Sequence, residues 1–220
     1  KLLPEYVHSL ELGAEIKNKK ISFLPSLYYH NVYNGITLVT KKLDDSTLLT
    51  TQENLSSSQS AGLELIFSGK ILKWLSGNIS ANLYYNQIDA SNLGYSGNKS
   101  EVAFSNNINM NIKAAKFTMF QLSSNYYSGE VTPQGKTLPN FTMNLGMKQE
   151  FMRNKLAVLI TFNDVFKTQQ YQSKLHSTEL IQHWTRKRDS RILFVGIKYR
   201  FGVLTKRAKE ESVQFDNNEK

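Results

Sequence analysis

The stretch RILFVGIKYRFG, residues 191–202, decides the fold because apolar and polar side chains alternate over most of its length. Successive side chains of a β-strand point to opposite faces of the sheet, so this period of two predicts a strand with one apolar face. The other face carries Lys198 and Arg200 and no acidic residue. The apolar face ends in the aromatic pair Tyr199 and Phe201. The chain beyond this stretch is mostly polar, so we expect this strand to be the last one of a sheet.

The same alternation recurs along the chain and predicts about nine long strands. They lie at residues 6–16, 21–33, 59–67, 77–89, 100–112, 117–128, 141–151, 156–164 and 191–201. Residues 35–54 are less regular, and Asp44, Asp45 and Ser46 predict the tip of a hairpin there. Pro25 lacks a backbone donor, so we expect a bulge or a sheet edge within the second strand.

The composition fits a β-protein. The 220 residues include 11 Tyr, 12 Phe and no Cys, and the formal net charge is +9. The mean hydropathy is −0.41. No run of about 18 apolar residues occurs, so we predict no transmembrane helix, whereas a transmembrane barrel requires only alternation. Without Cys there are no disulfides and no thiolate metal sites. The cations form no continuous stripe in the sequence, so we expect no nucleic-acid partner.

The connections between the predicted strands alternate between short turns and long polar loops. Short turns are predicted near Asn18, Gly69, Ala115 and Arg153, and longer loops near Asp44, Ala90, Gly129 and Val165. This asymmetry is typical of bacterial outer-membrane barrels, which have short periplasmic turns and long extracellular loops. Aromatic residues bound the apolar face at both ends, as expected of rings that favour a membrane interface. They are Tyr29, Tyr33, Tyr85 and Tyr126 at the long-loop end, and Trp74, Phe151, Tyr199 and Phe201 at the short-turn end.

The predicted fold class is all-β, an antiparallel up-and-down transmembrane β-barrel. A soluble β-sandwich or a lipocalin-like barrel is the alternative, because both also alternate but turn the apolar face inward. Strands of soluble proteins are usually shorter, about five or six residues.

The predicted strand number is odd, and the first and last strands both run toward the short-turn end. A complete single-chain barrel normally has an even number of strands. We therefore predict that residues 1–202 form the C-terminal portion of a larger barrel and that both outer strands have an unpaired edge. Residues 203–220 are predicted to be a polar, disordered periplasmic tail.

Several segments resemble the C-terminal barrel region of TonB-dependent receptors, and most closely the outer-membrane β-barrel family common in Bacteroidetes-type bacteria. They are LPEYVHSLELG, PSLYYHN, SAGLELIFSGKILKWLSGNISANLYYNQIDASN, NYYSGEVTPQGKTLP, FNDVFKT and RDSRILFVGIKYRFG. The resemblance covers nearly the whole chain up to Gly202. It implies a barrel of about 22 strands that encloses an N-terminal plug, with a further segment that contacts the TonB complex. Residues 1–220 contain neither the plug nor that segment, and a plug-like domain several hundred residues upstream of Lys1 would support the resemblance.

The resemblance implies energised uptake of a large ligand, such as a siderophore or an oligosaccharide, across the bacterial outer membrane. The partners that it implies are outer-membrane lipid and lipopolysaccharide, the plug and remaining strands of the same barrel, and the TonB complex. A stand-alone barrel that binds or adheres without transport is the alternative. We expect neither an enzymatic activity nor a cofactor.

The histidines offer the few candidates for a metal or catalytic site. The sequence contains His8, His30, His176 and His183. His176, Glu179 and His183 would share one face if their loop were helical, and could then hold a metal ion; a solvated loop is the alternative. His30 is predicted to face inward, near Ser26 and Tyr28. Because the sequence shows no paired base and orienting group there, we predict no catalytic site and no metal site.

Two further groups of polar side chains are candidates for contacts with partners. Trp184, Arg186, Lys187 and Arg188 form a basic and aromatic cluster, which could contact lipopolysaccharide phosphates or an anionic ligand. An ordinary charged loop is the alternative. Inward-facing asparagines could hydrogen-bond a sugar or a plug, or only hydrate the lumen. They are Asn78, Asn82, Asn86, Asn107, Asn109 and Asn111. These patterns leave the identity of the ligand open.

Overall fold

The computed structural model describes residues 1–95, 98–177 and 180–201. The predicted tail, residues 203–220, lies outside these residues. Within them the chain forms strands connected by turns, with two short 3₁₀ helices at Ser91–Leu93 and Met152–Asn154. The strands are β1 (Tyr6–Gly13), β2 (Ile16–Lys17), β3 (Ile21–Tyr33), β4 (Ile36–Lys42), β5 (Leu48–Asn54), β6 (Ser57–Lys70), β7 (Leu75–Asp89), β8 (Asn98–Ala115), β9 (Thr118–Tyr127), β10 (Val131–Thr132), β11 (Gly135–Thr137), β12 (Asn140–Phe151), β13 (Leu156–Phe162), β14 (Gln170–His176), β15 (Ile181–Lys187) and β16 (Leu193–Tyr199).

The main sheet is antiparallel and has the order β1-β3-β6-β7-β8-β9-β12-β13-β16, with β2 also paired to β3. Apart from β2, each neighbour in this order is the next strand of this sheet along the chain, which is the up-and-down topology. The nine predicted strands are therefore confirmed, although several ends shift by a few residues. The all-β, antiparallel fold follows from local alternation, because each hairpin joins two strands that share the same apolar face.

The apolar face of the main sheet is exposed. Leu12, Leu27, Leu63 and Leu83 lie directly opposite one another on four neighbouring strands. Their exposed fractions are 75%, 56%, 37% and 50%. A soluble sandwich or lipocalin would bury such a row as its core. The observed exposure is instead what a sheet needs when its apolar face contacts lipid.

The opposite face, called the polar face below, is lined by small and polar side chains. Several of them are buried although they are polar, including Gln121, Ser123 and Asn144. The burial of the polar face and the exposure of the apolar face indicate a sheet that curves around the polar face.

Pro25 interrupts the pairing between β3 and the first predicted strand. The carbonyl of Pro25 accepts a hydrogen bond from the Ala14 amide at 3.1 Å. In an antiparallel pair the N–H and the C=O of one residue point to the same neighbour, so the donor that Pro25 lacks would also have faced this strand. The first predicted strand is accordingly split into β1 and β2. On its other side Pro25 pairs with Leu65 of β6 without a shift in register. The expected irregularity is present, but β3 is an inner strand and not a sheet edge.

Both outer strands of the main sheet have an open edge. Among the described residues β1 pairs only with β3, and β16 pairs only with β13. Because an even number of antiparallel reversals separates them, β1 and β16 run in the same direction, toward the short-turn end. The sheet is not closed, and the prediction of two unpaired edges is confirmed.

The long loops contain further strands, and the sequence predicted only the hairpin within residues 35–54. β4 and β5 form a two-stranded hairpin, and its tip lies at Asp44–Asp45–Ser46 as predicted. β10, β11, β14 and β15 form a separate four-stranded sheet. The longer loops predicted near Gly129 and Val165 therefore contain regular strands that the sequence did not indicate. No helix among the described residues is long and apolar enough to cross a membrane.

A buried glutamine ties the long loops together. Gln134, whose residue is 4% exposed, lies between β10 and β11. Its side chain accepts a hydrogen bond from the Thr40 amide at 2.7 Å and donates to the Thr40 carbonyl at 2.6 Å and to the Tyr95 hydroxyl at 2.9 Å. Its backbone carbonyl accepts from the His176 amide at 2.7 Å. Four loop segments thus meet at one residue, beside an apolar cluster formed by Leu55, Ile88, Ala90, Leu93, Tyr95 and Val131.

Candidate functional site

The polar face carries ladders of amide and hydroxyl side chains across neighbouring strands. Asn109 donates to Asn107 at 2.6 Å, and Asn107 donates in turn to Asn125 on the adjacent strand. The predicted inward asparagines all lie on this face. Such a surface offers many hydrogen-bond donors and acceptors to water, to a sugar or to a packed polypeptide.

Two adjacent concavities lie on the polar face, with volumes of about 420 Å³ and 370 Å³. Glu64 and Asn82 line both of them. The side chains around the larger one are Glu11, Ser26, Tyr28, His30, Ser60, Tyr84, Asn86 and Glu130. The smaller one is lined mainly by Ser80, Ser105, Asn107, Asn125, Tyr127 and Asn140. The larger concavity combines carboxylates with aromatic rings, and the smaller one is mostly amide and hydroxyl.

Tyr28 lines the larger concavity and contacts other side chains of the polar face through both its hydroxyl and its ring. Its hydroxyl lies 3.1–3.2 Å from the side-chain amide of Asn82. Its ring contacts the His30 ring, with the centroids 4.9 Å apart. The Nε2 atom of His30 lies 3.4 Å from Oε1 of Glu11. His30 therefore faces inward near Tyr28, as predicted, and its carboxylate neighbour was missed in the sequence.

A loop carboxylate closes one side of the larger concavity. The Tyr84 hydroxyl donates to Oε2 of Glu130 at 3.2 Å. Glu130 is itself fixed by Thr137, whose hydroxyl accepts from the Glu130 amide at 2.9 Å. The segment before β10 thus folds over the polar face and is fastened to its wall.

A charged layer lies at the short-turn end of the polar face. Lys148 and Glu150 form an ion pair of 3.0 Å, and a guanidinium nitrogen of Arg200 lies 4.0 Å from the same carboxylate. Lys198 lies on the same face, opposite Ala157 of β13. Lys198 and Arg200 thus lie on the face opposite the apolar one, as the alternation in the last strand predicts, and Glu150 supplies an anion that this strand itself lacks.

The comparison with known protein families accounts for this combination of an exposed apolar face and a polar interior. The model of the outer membrane protein beta-barrel family matches residues 1–199.

The chain belongs to the outer membrane protein beta-barrel family. The protein accordingly lies in the bacterial outer membrane, with its exposed leucine row against lipid and its polar face toward the barrel interior. By the usual orientation of outer-membrane barrels, the long loops are extracellular and the short turns periplasmic. No curated protein and no solved structure matches the chain.

His176 and His183 do not share a helical face in this outer membrane barrel protein. Residues 176 and 183 lie on the antiparallel strands β14 and β15, where His176 is opposite Ile181 and His183 is opposite Lys174. The helical spacing therefore does not apply, because the two histidines lie on opposite strands of an antiparallel hairpin. Glu179 lies outside the described residues. Within residues 1–95, 98–177 and 180–201 no group of three potential ligands could hold a metal ion.

The predicted basic and aromatic cluster is also divided by the strand. Trp184 and Arg186 point to one face of β15, and Lys187 points to the other, because alternate side chains face opposite ways. Trp184 instead packs on Tyr171, with ring centroids 5.1 Å apart. The residues after β15, including Arg188, belong to the connection to β16.

We predict that the variant Gly62→Leu distorts the larger concavity. Gly62 lies directly between Tyr28 and Tyr84 on neighbouring strands. A Cβ atom there would lie 2.6 Å from the Tyr28 hydroxyl and 2.7 Å from the Tyr84 Cβ, so both rings must move. Overpacking of this kind costs about 1–3 kcal/mol, and displacement of Tyr84 breaks its bond to Glu130. Thermal unfolding and limited proteolysis of residues 129–137 should show both effects.

The matched control is Ala61→Leu, at the next residue and on the exposed apolar face. It adds the same side chain toward lipid and should leave stability and proteolysis unchanged. Equal behaviour of the two variants would contradict the assignment of Gly62 to a packed wall.

Proposed function

We propose that this chain is the C-terminal portion of a larger, plugged outer-membrane barrel that imports a large ligand with energy from the TonB complex. The observation that carries the proposal is that β1 and β16 have open edges and run in the same direction. Closing the sheet with antiparallel neighbours on both sides requires an odd number of further strands. A barrel of about 22 strands would supply about 13 more, which is an odd number.

The polar face supports a transport function for such a barrel. Its amide ladders and two concavities provide hydrogen-bonding groups along the wall from the extracellular end inward. The same groups can also hydrate a plug. The resemblance of the strand segments to TonB-dependent receptors supports the energised mechanism, and a siderophore or an oligosaccharide fits the size of such a lumen. The charged layer around Glu150 lies where the ligand would leave toward the periplasm.

The proposal predicts that uptake through the full-length protein depends on TonB. In its own bacterium, growth on a single ferric siderophore or oligosaccharide, taken from a panel, should be lost when the gene is deleted. Growth should be lost equally when TonB is inactivated. The variant Asn82→Trp should reduce uptake about tenfold or more, because Asn82 lines both concavities and a bulky ring there would fill them.

The matched control is Leu83→Trp, on the lipid-facing side of the same strand, which should leave uptake unchanged. Ligand binding by the intact protein that persists without any dependence on TonB would favour the stand-alone binding barrel. A protein whose barrel closes without strands from outside this chain would also contradict the proposal.

A further inference from the structure

The extracellular sheet β10-β11-β14-β15 carries three basic side chains in a row on one of its faces. Lys136 of β11 lies directly opposite Lys174 of β14, and Lys174 lies directly opposite His183 of β15. Residues opposite each other on neighbouring strands share a face, with their Cβ atoms about 5 Å apart. All three are exposed. We call these three residues the basic row.

No acidic residue shares this face on the described parts of the four strands. Its other members are Val131, Gln170, Gln172, His176, Ile181, Thr185 and Lys187. Among the described residues no ion pair involves the basic row. Like charges directly opposite each other destabilise a sheet, so the arrangement costs stability unless an anion lies over it. The sheet therefore presents a surface whose charge is complementary to an external anion.

The basic row points away from the barrel interior. Thr137 follows Lys136 in β11, so their side chains point to opposite faces. The Thr137 side holds Glu130, which binds Tyr84 on the polar face of the main sheet. The face with Lys136 and Lys174 is consequently the outer one. In an outer-membrane barrel that side meets the polysaccharide and phosphate region of the outer leaflet.

We propose that the basic row binds phosphate groups of lipopolysaccharide beside the barrel. A phosphate offers several acceptor oxygens, and charge-assisted hydrogen bonds from lysine are shorter and stronger than neutral ones. His176, two residues from Lys174 in β14, and Lys187, four residues from His183 in β15, lie on the same face. The site differs from the cluster of residues 184–188 that the sequence suggested, because it is assembled from three strands.

This inference requires the outer-membrane location and does not depend on transport. A barrel that turned out to bind without importing would still have the basic row beside the same outer leaflet. The experiment below therefore tests lipopolysaccharide binding alone, and its result is independent of the uptake assay.

The test uses the full-length protein in detergent, titrated with fluorescent lipopolysaccharide. The double variant Lys136→Gln/Lys174→Gln should bind about 25-fold more weakly, at about fivefold for each lysine near an anionic lipid surface. The variant His183→Lys should bind several-fold more tightly, since it adds a fixed charge to the row. The control Lys19→Gln/Lys73→Gln removes two exposed charges at the periplasmic end and should bind like the wild type. Heat-modifiable gel migration verifies that each variant is folded.

Two further ligands identify the group that is recognised. Dephosphorylated lipopolysaccharide should bind the wild type as weakly as the double variant binds the phosphorylated form. Polygalacturonate serves as a soluble polyanion. Unchanged lipopolysaccharide affinity in the double variant overturns the proposal. Loss of polygalacturonate binding with lipopolysaccharide binding intact also overturns it and would assign the row to a soluble anionic ligand.

Discussion

The variant Ile79→Arg should greatly reduce the amount of protein that assembles in the outer membrane, whereas Ser80→Arg should assemble like the wild type. Ile79 lies on the apolar face between Phe67 and Ile108, near the middle of the roughly ten residues of β7 that cross the bilayer. Arginine at the membrane midplane costs a barrel about 2–4 kcal/mol. This cost lowers the equilibrium ratio of folded to unfolded protein roughly 30- to 1,000-fold.

Ser80 provides a matched control because it is the next residue and points to the opposite face. It lines the smaller concavity, where an arginine finds water and space. The measurement is the amount of heat-modifiable, protease-resistant protein in the outer-membrane fraction for each variant. Good assembly of Ile79→Arg together with poor assembly of Ser80→Arg would reverse the assignment of the two faces.

The variant Gln134→Ala should loosen the extracellular loops without unfolding the barrel wall. The Gln134 side chain pairs with both the amide and the carbonyl of Thr40 and also with the Tyr95 hydroxyl. Removing it leaves the amide and the carbonyl of Thr40 without their hydrogen-bond partner. We expect this to lower the local stability of the loops by about 2–4 kcal/mol. The loss is local, because loop packing and the strand ladder of the main sheet share few interactions.

Hydrogen exchange should show faster exchange in β4, β5 and β10–β11 for this variant, with the strands of the main sheet unaffected. Gln52→Ala is the control: Gln52 belongs to the same hairpin and is exposed, and among the described residues its side chain makes no hydrogen bond. A loss of heat-modifiable migration by Gln134→Ala would mean that the loops also support the barrel wall.

The main sheet could be predicted from the sequence because its information is local. Alternation within each strand defines the two faces, and the short turns define which strands pair. The exposed apolar face, the two open edges and the inward orientation of His30 follow from these two rules. The contact between His30 and Glu11 could have been found as well, since Glu11 alternates with apolar residues in the first predicted strand, which precedes that of His30 by a short turn.

Apart from the β4–β5 hairpin, the loop structures could not be predicted because their contacts join distant parts of the chain. Gln134 and Thr40 are 94 residues apart, and no alternating pattern indicates that they meet. β11 pairs with β14 although β12 and β13 lie between them in the sequence. The segments are short and polar, so pairing partners and not their own periodicity make them strands. The basic row could not be predicted from the sequence for the same reason, since its three members lie in three separate segments.

The Gln134 contacts also limit which sequence changes the extracellular loops of this protein can accept. A change of length between β10 and β11 would move Gln134 away from Thr40, Tyr95 and β14 at once, so we expect few viable insertions there. The tip at Asp44–Asp45–Ser46 is exposed and lies beyond the last hydrogen-bonded pair of its hairpin. Antibodies and phages that recognise the protein should therefore select escape variants at this tip, while the buried glutamine is retained.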